Sequence, residues 1–351
     1  MTAEINIAGR VIKEGKPPFI IAELSGNHQQ SYEMAIKMID AAAKAGVDAI
    51  KLQTYTADSM TLDIETDEFL IKEQSSLWKG QSLHSLYNRA ATPYDWHKGL
   101  FEYARSLGLA AFSSPFDEQA VDFLESLDVP CYKIASFENV DLSLIRKVAK
   151  TGKPMIISTG MASLIELEEA VSTAREAGCN DLILLKCTSA YPSPAEDINL
   201  ATMRDMSKRF LCPVGLSDHS LGIEVALAAT ALGAQVIEKH FVLNRKEGGV
   251  DAEFSLEPLE LKQLVDQSKR ISLAVGGVNY GDTKSDLEAK RYRRSIYIAK
   301  DIPSGTRIAA EHIRVVRPGL GLAPKFYDAL LGKTASASLK KGMPTSWDLF
   351  S

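Results

Sequence analysis

The sequence has no apolar run long enough to span a bilayer. Its first residues, MTAEINIAGR, lack the basic-then-apolar order of a secretory signal. We therefore expect no membrane partner and a cytoplasmic location. Basic charge is not in excess: 40 Lys and Arg stand against 45 Asp and Glu, a net charge of −5. No nucleic-acid partner is expected from that balance. Cysteine is sparse, and Cys131, Cys179, Cys187 and Cys212 show no CxxC spacing. They read as reduced, mostly buried thiols rather than a disulfide framework. No GxGxxG follows the first strand pattern, so the dinucleotide fingerprint is missing. What is present is ordinary: 45% hydrophobic and 24% charged residues, which excludes a disordered, collagenous or coiled-coil chain. A length of 351 residues exceeds the needs of one core, so a large and a small domain, or two medium ones, are expected.

One unit recurs along the first 275 residues, a short apolar run followed by an amphipathic stretch. PFIIAELS reads as a buried strand, and SYEMAIKMIDAAAKAG then places Met34, Ile36, Ile39 and Ala43 on one helical face, with Gly46 as a stop. VDAIKLQ, LAAFSSPF, VPCYKIAS, KPMIISTG, DLILLKCTS, CPVGLSDHS and QVIEKHF follow as further strands. About eight strand–helix units close a (β/α)8 TIM barrel. An open, doubly wound parallel sheet is the alternative. Residues 4–16 read as a hairpin ahead of the first strand, placed to plug the barrel bottom. Residues 54–91 form a long excursion after the second, functional or carrying short helices of its own. The expected organisation is a barrel over 1–275, a polar linker over 276–290, and a small β-rich domain over 291–351, close to the size limit for independent stability.

Barrels of this kind carry their chemistry at the C-terminal ends of the strands. Read by the two-residue alternation, those ends offer Glu23 and Ser25, Lys51 and Gln53, Ser113, Ser114 and Asp117, Lys133 and Ser136, Ser158 to Gly160, Lys186 to Ser189, Ser217 to His219, and Glu238 to His240. Lys51, Lys133 and Lys186 are costly to bury unpaired. With the neighbouring hydroxyls they suit a phosphate, a carboxylate or both, unless each pairs with an internal carboxylate. His219 and His240 lie one strand–helix unit apart and end adjacent strands about 4.8 Å apart. Two imidazoles at matched height can share a divalent cation, with open positions left for chemistry, although either alone is commonly a packing residue.

The segments AELSGNH, AIKLQTY, FSSPFD, YKIAS, ISTGMA, CTSAYPSP, GLSDHSLG, IEKHF and RPGLG resemble, in order and over nearly the whole chain, the sialic acid synthase family. That resemblance implies a barrel followed by an antifreeze-like (SAF) domain, and condensation of phosphoenolpyruvate with an N-acetylated amino sugar. It also implies a domain-swapped homodimer whose small domain caps the partner's barrel. Lys51, Ser114, Lys133, Ser136, Ser158 and Ser217 match phosphoenolpyruvate ligands, and His219 and His240 match the ligands of Mn2+ or Mg2+. Gln53, Tyr191, Asp251 and Glu23 match positions that handle the sugar or the proton transfers, with Glu238 a second proton-transfer candidate. Arg317 matches an arginine that reaches the sugar's N-acetyl group from the partner's small domain.

SLWKGQSLHSLYNRAATPYDWH, FSSPFD and KIASFE resemble the pseudaminic acid synthase branch more than the N-acetylneuraminate branch. The implied sugar is 2,4-diacetamido-2,4,6-trideoxy-L-altrose; N-acetylneuraminate or legionaminic acid precursors are the alternative. Phe137 stands where the sialic acid branch has a small residue, and as an apolar wall it would suit a C6 methyl. Two other classes stay open at this point: a Schiff-base aldolase using Lys133 or Lys186, and a carbohydrate-binding module with the barrel as scaffold.

Overall fold

The computed structural model describes residues 4–72 and 78–351. The chain forms two compact units, one ending at Gly276 and the other running Gly277–Ser351. The first opens with a hairpin, β1 (Ile5–Ile7) antiparallel to β2 (Arg10–Ile12). Gly9 supplies its turn at φ 82°, a left-handed geometry that favours glycine. Ile5, Ile7 and Ile12 are buried in the core shared with the strands that follow.

Those strands are β3 (Phe19–Glu23), β4 (Ala49–Thr54), β5 (Ala110–Pro115), β6 (Tyr132–Ile134), β7 (Met155–Ser158), β8 (Leu182–Cys187), β9 (Val214–Asp218) and β10 (Val236–His240). Each pairs in parallel with the next, and β10 returns to β3, closing a barrel of eight strands. Closure removes the open-sheet alternative. The strands are buried on both faces, which explains why their sequences are near-continuous apolar runs. Polar residues break those runs mainly near the carboxyl ends of the strands, as at Lys51, Ser114, Ser158, Ser217 and Glu238.

The helices between strands obey local signals. In Tyr32–Ala45 the Ser31 hydroxyl caps the first turn by accepting from the Met34 amide at 3.2 Å, and Gly46 ends it at φ 84°. The buried stripe of this helix is Ala35, Met38, Ile39, Ala42 and Ala45, with Met34, Ile36 and Ala43 only partly covered. The expected face is therefore rotated: Ile39 is shared, but Met38 and the small Ala35, Ala42 and Ala45 take the place of Met34, Ile36 and Ala43. Asp117 is likewise a helix cap, accepting from the Ala120 amide at 2.6 Å.

The excursion after β4 contains the short helices Ala57–Met60 and Leu83–Ala90. Part of it, residues 73–77, lies outside the described residues, including the first two of the SLWKGQ motif. Within 276–290, read as a polar linker, residues Lys284–Lys290 form a helix started by a reciprocal Thr283–Asp286 capping box. The second unit pairs β11 (Ser295–Ile298) antiparallel with β12 (Ile313–Val316). Single bridges such as Ile302 to Leu339 and Ala335 to Phe350 extend it. Its own core holds Ile296, Ile298, Ile308, Ile313, Leu330 and Leu339.

Candidate active site at the carboxyl end of the barrel

Strand register brings the polar residues together. Glu23 stands beside Lys51 on one side and His240 on the other, Ser114 beside Gln53, and Ser217 beside both Glu238 and Cys187. Glu23, Lys51, Ser114, Lys133, Ser217, Glu238, His219 and His240 are all buried. Lys51 Nζ contacts Glu23 Oε2, donates to Ser114 Oγ at 3.2 Å, and lies 3.8 Å from Glu238 Oε1. Lys133 Nζ lies 3.9 Å from the same Glu238 oxygen and donates to the Ile134 carbonyl at 3.0 Å. Ser217 Oγ donates to Glu238 Oε1 at 3.2 Å. The internal-carboxylate alternative is thus realised for Lys51 and Lys133. Lys186 differs: it is half-buried and donates to the Cys187 carbonyl at 2.7 Å and to Thr188 Oγ1 at 3.3 Å.

Electrostatics separate the two carboxyls. Burial, opposed by the Lys51 ammonium, pushes Glu23 up to about 7. Burial also acts on Glu238, but Lys133, Lys51 and His219 together outweigh it and hold this carboxyl below its ordinary value. Burial pulls the Lys51 ammonium down, yet Glu23 and Glu238 keep it above the usual lysine value. Burial prevails at Lys133, which is lowered despite Glu238. One pair of strands therefore presents a carboxyl poised near neutrality beside one that stays ionised.

The imidazoles of His219 and His240 have ring centroids 5.2 Å apart. His219 Nδ1 lies 3.0 Å from the Thr188 carbonyl, which fixes Nδ1 as a donor. His240 Nδ1 is buried with no hydrogen-bond partner among the described residues, and Asp251 Oδ2 lies 3.6 Å away. Tyr191 covers His219 at 4.4 Å between centroids, and Phe254 packs against both imidazoles at 6.0 and 5.0 Å. Asp251 is held by Ser25, whose hydroxyl donates to it, and by Asn27, whose Oδ1 accepts from the Asp251 amide at 3.0 Å. Among the described residues no group of three or more His, Cys, Asp or Glu side chains is arranged around a metal position. His219 and His240 are the two imidazoles that lie side by side here, and His240 Nδ1 is a buried nitrogen left without a hydrogen-bond partner among the described residues.

A group of hydroxyls lies just past the ends of β6, β7 and β8. A Cβ on Gly160 would come within 2.6 Å of the hydroxyls of both Ser136 and Ser189, so these groups converge on the glycine. Ser158 Oγ and Ser189 Oγ are buried with no hydrogen-bond partner among the described residues. Unpaired buried hydroxyls at neighbouring strand ends are suited to anionic oxygens. Val250 and Ala252, which flank Asp251, line a cleft of about 820 Å3 whose walls include Gly26, Trp78 and Arg245.

Of the remaining expected residues, Gln53 is half-buried on β4 and Arg317 is exposed in the second unit. Phe137 is 59% exposed. It occupies the middle of the 3-10 turn Ser136–Glu138, where successive side chains diverge by a third of a turn and only Ser136 is buried. Glu138 was missed by strand alternation for the same reason. Burial pushes its carboxyl up to about 7 against Lys133, and its Oε2 lacks a hydrogen-bond partner among the described residues. The sequence marks Cys187 only as a buried thiol. Burial raises it, but the His219 ring 3.8 Å away, together with Ser136 and Lys133, outweighs that and leaves it at about 7.

The sequence profile of the NeuB family matches residues 38–280, and that of the SAF domain matches residues 293–351. The chain belongs to the NeuB family. Among NeuB relatives, the pseudaminic acid synthase of Helicobacter pylori is 46% identical over 95% of this chain and 98% of its own length. The N,N'-diacetyllegionaminic acid synthase of Campylobacter jejuni is 35% identical over 93% of this chain and 98% of its own. A solved N-acetylneuraminic acid synthetase from Leptospira borgpetersenii, in complex with citrate, superposes with a TM-score of 0.74 at 34% identity, over 82% of this chain and 95% of that one.

Proposed function

We propose that the chain is a pseudaminic acid synthase. It joins phosphoenolpyruvate to 2,4-diacetamido-2,4,6-trideoxy-L-altrose through a new C–C bond and releases phosphate by C–O cleavage. The observation that carries the substrate is the 46% identity to the Helicobacter pylori pseudaminic acid synthase along almost the whole of both chains, against 35% for the legionaminic acid enzyme. The barrel and its ring of polar strand ends favour this over a binding module, which has no need of them.

Lys51, Lys133, Ser114, Ser136, Ser158 and Ser217 hold the phosphate and carboxylate of phosphoenolpyruvate. On binding, those anions take over ammonium groups now occupied by Glu23 and Glu238; until then the two carboxyls favour the charged form of Lys51. His219 and His240 would hold Mn2+ or Mg2+, which when bound supplies Lewis-acid polarisation of the sugar's aldehyde oxygen. Gln53, Tyr191 and Asp251 orient the open-chain sugar, and the neutral-range carboxyl of Glu138 joins them. C3 of phosphoenolpyruvate then attacks the aldehyde carbon, water adds at C2, and the tetrahedral intermediate expels phosphate. Glu23, with its carboxyl near 7, can take the proton of that water and return one; Glu238, held ionised, steadies the positive charge developing at C2. Arg317 of a second protomer's SAF unit reaches the N-acetyl group, which makes the active form a domain-swapped homodimer. A cytoplasmic setting suits this substrate and the four free, buried cysteines. No helix among the described residues is long and apolar enough to cross a membrane.

The test is incubation with phosphoenolpyruvate and, separately, the altrose derivative, N-acetylmannosamine and the legionaminic acid precursor, with phosphate release and product mass measured. We expect turnover with the altrose derivative and loss of activity on chelation, restored by Mn2+ or Mg2+. Comparable turnover of N-acetylmannosamine would overturn the sugar assignment. Borohydride trapping of a pyruvate adduct on Lys133 or Lys186 would overturn the mechanism.

A further inference from the structure

Directly behind the two imidazoles, between the barrel wall and its helices, lies a buried ion pair with no part in the chemistry above. Asp218 and Lys239 are register partners on β9 and β10, and each immediately precedes one of the histidines. Alternation turns this pair to the outer face and the imidazoles inward. Lys239 is fully buried and Asp218 nearly so, and Nζ meets Oδ2 at 2.8 Å. Lys239 also donates to the Ser220 carbonyl, while Asp218 Oδ1 accepts from the Ser220 amide at 2.9 Å and its hydroxyl at 2.7 Å. Glu224 and Glu260 add negative potential around the ammonium. Both ends of the turn that carries His219 are thereby tied to the residue that precedes His240.

We infer that Asp218 and Lys239 are positioning residues, a clamp that sets the relative height of the His219 and His240 rings from outside the barrel. Parallel strands joined only by backbone hydrogen bonds can tilt at their ends, where the ladder stops; a side-chain bond at the last paired residues prevents that. The cost of burying two charges is offset by the bonds to Ser220, and a well-packed apolar pair would serve stability as well. What an apolar pair cannot do is fix the turn at Ser220. Groups that orient metal-binding imidazoles without touching the ion act in this way.

The inference rests on the metal reading above, and the experiment separates the two. Mn2+ binding is measured by electron paramagnetic resonance for the parent, for the charge-neutral double variant Asp218→Asn/Lys239→Met, and for Ser220→Ala, which keeps both charges. Long-range 1H–15N spectra of the imidazoles are recorded on the same proteins without metal. We expect Mn2+ affinity to fall about tenfold to a hundredfold in the double variant and a few-fold in Ser220→Ala, with the ring resonances of His219 and His240 displaced and phosphoenolpyruvate affinity unmoved. A pair that served stability alone would lower the melting temperature and leave Mn2+ affinity and ring resonances at parental values, and that result would overturn the inference. Were the double variant not to fold, Ser220→Ala decides. Were the parent to bind no Mn2+, the metal reading falls, and the ring resonances decide the clamp.

Discussion

Glu138 shows how much one half-buried carboxyl can report. Its value of about 7 means that the folded, substrate-free chain holds a proton that the unfolded chain releases near 4.5. Stability from this group is fully present below about 4.5, declines as pH rises, and is lost above about 7. The difference across that window is on the order of 3 kcal/mol at most. Glu138→Gln, which cannot ionise, should therefore flatten the fall in melting temperature between pH 5 and pH 8.5 in the metal-free and substrate-free protein. An unchanged pH profile would show that this carboxyl is already ionised in the fold. Gly160 makes the opposite kind of statement, about space. A methyl there would push into the hydroxyls of Ser136 and Ser189. Crowding of that kind costs about 1–3 kcal/mol. Gly160→Ala should raise KM for phosphoenolpyruvate by about tenfold to a hundredfold, with the sugar KM much less affected. Steady-state kinetics with each substrate varied in turn checks it.

At the scale of elements, the N-terminal hairpin is part of the barrel's foundation. Ile7 is wholly buried in the common core. Ile7→Ala should cost about 2–5 kcal/mol, read as a lower urea midpoint with an unchanged slope. A change under 1 kcal/mol would mean the hairpin detaches without consequence. The hairpin and the eight strands were legible from the sequence, because a strand buried on both faces needs a continuous apolar run and its polar exceptions announce themselves. Lys51, Glu238 and the two histidines were found that way. The buried stripe of Tyr32–Ala45 was not, because alanine carries too little hydrophobic weight to mark a face that close approach makes essential. Glu138 escaped because strand alternation stops where the 3-10 turn begins. The helix Lys284–Lys290 escaped because no residue in it is buried, so only its Thr283–Asp286 cap could betray it. Register, which puts Glu23 between Lys51 and His240, is set by strand pairing across the barrel and has no signature within any single segment.

At the scale of the molecule, the proposed dimer turns on which barrel Arg317 serves. His219 belongs to the barrel unit, and Arg317 is exposed on the second unit, whose core of a few isoleucines and leucines is its own. If Arg317 serves its own barrel, a chain carrying either His219→Ala or Arg317→Ala brings one defect to its site wherever that chain goes. If it serves the partner's barrel, mixing the two inactive chains gives a different result. In the mixed dimer one site collects both defects, and the other collects none. Random reassortment makes half of the dimers mixed, and half of their sites intact, so about a quarter of parental activity should return. Service within one chain predicts no recovery at any mixing ratio. Co-expression of the two variants under separate tags, followed by tandem purification of the mixed dimer, sharpens the contrast. That species should then carry about half of the parental activity per dimer, with the parental sugar KM, because the surviving site is unaltered. Activity with a raised sugar KM would mean that Arg317 contributes from neither chain as proposed.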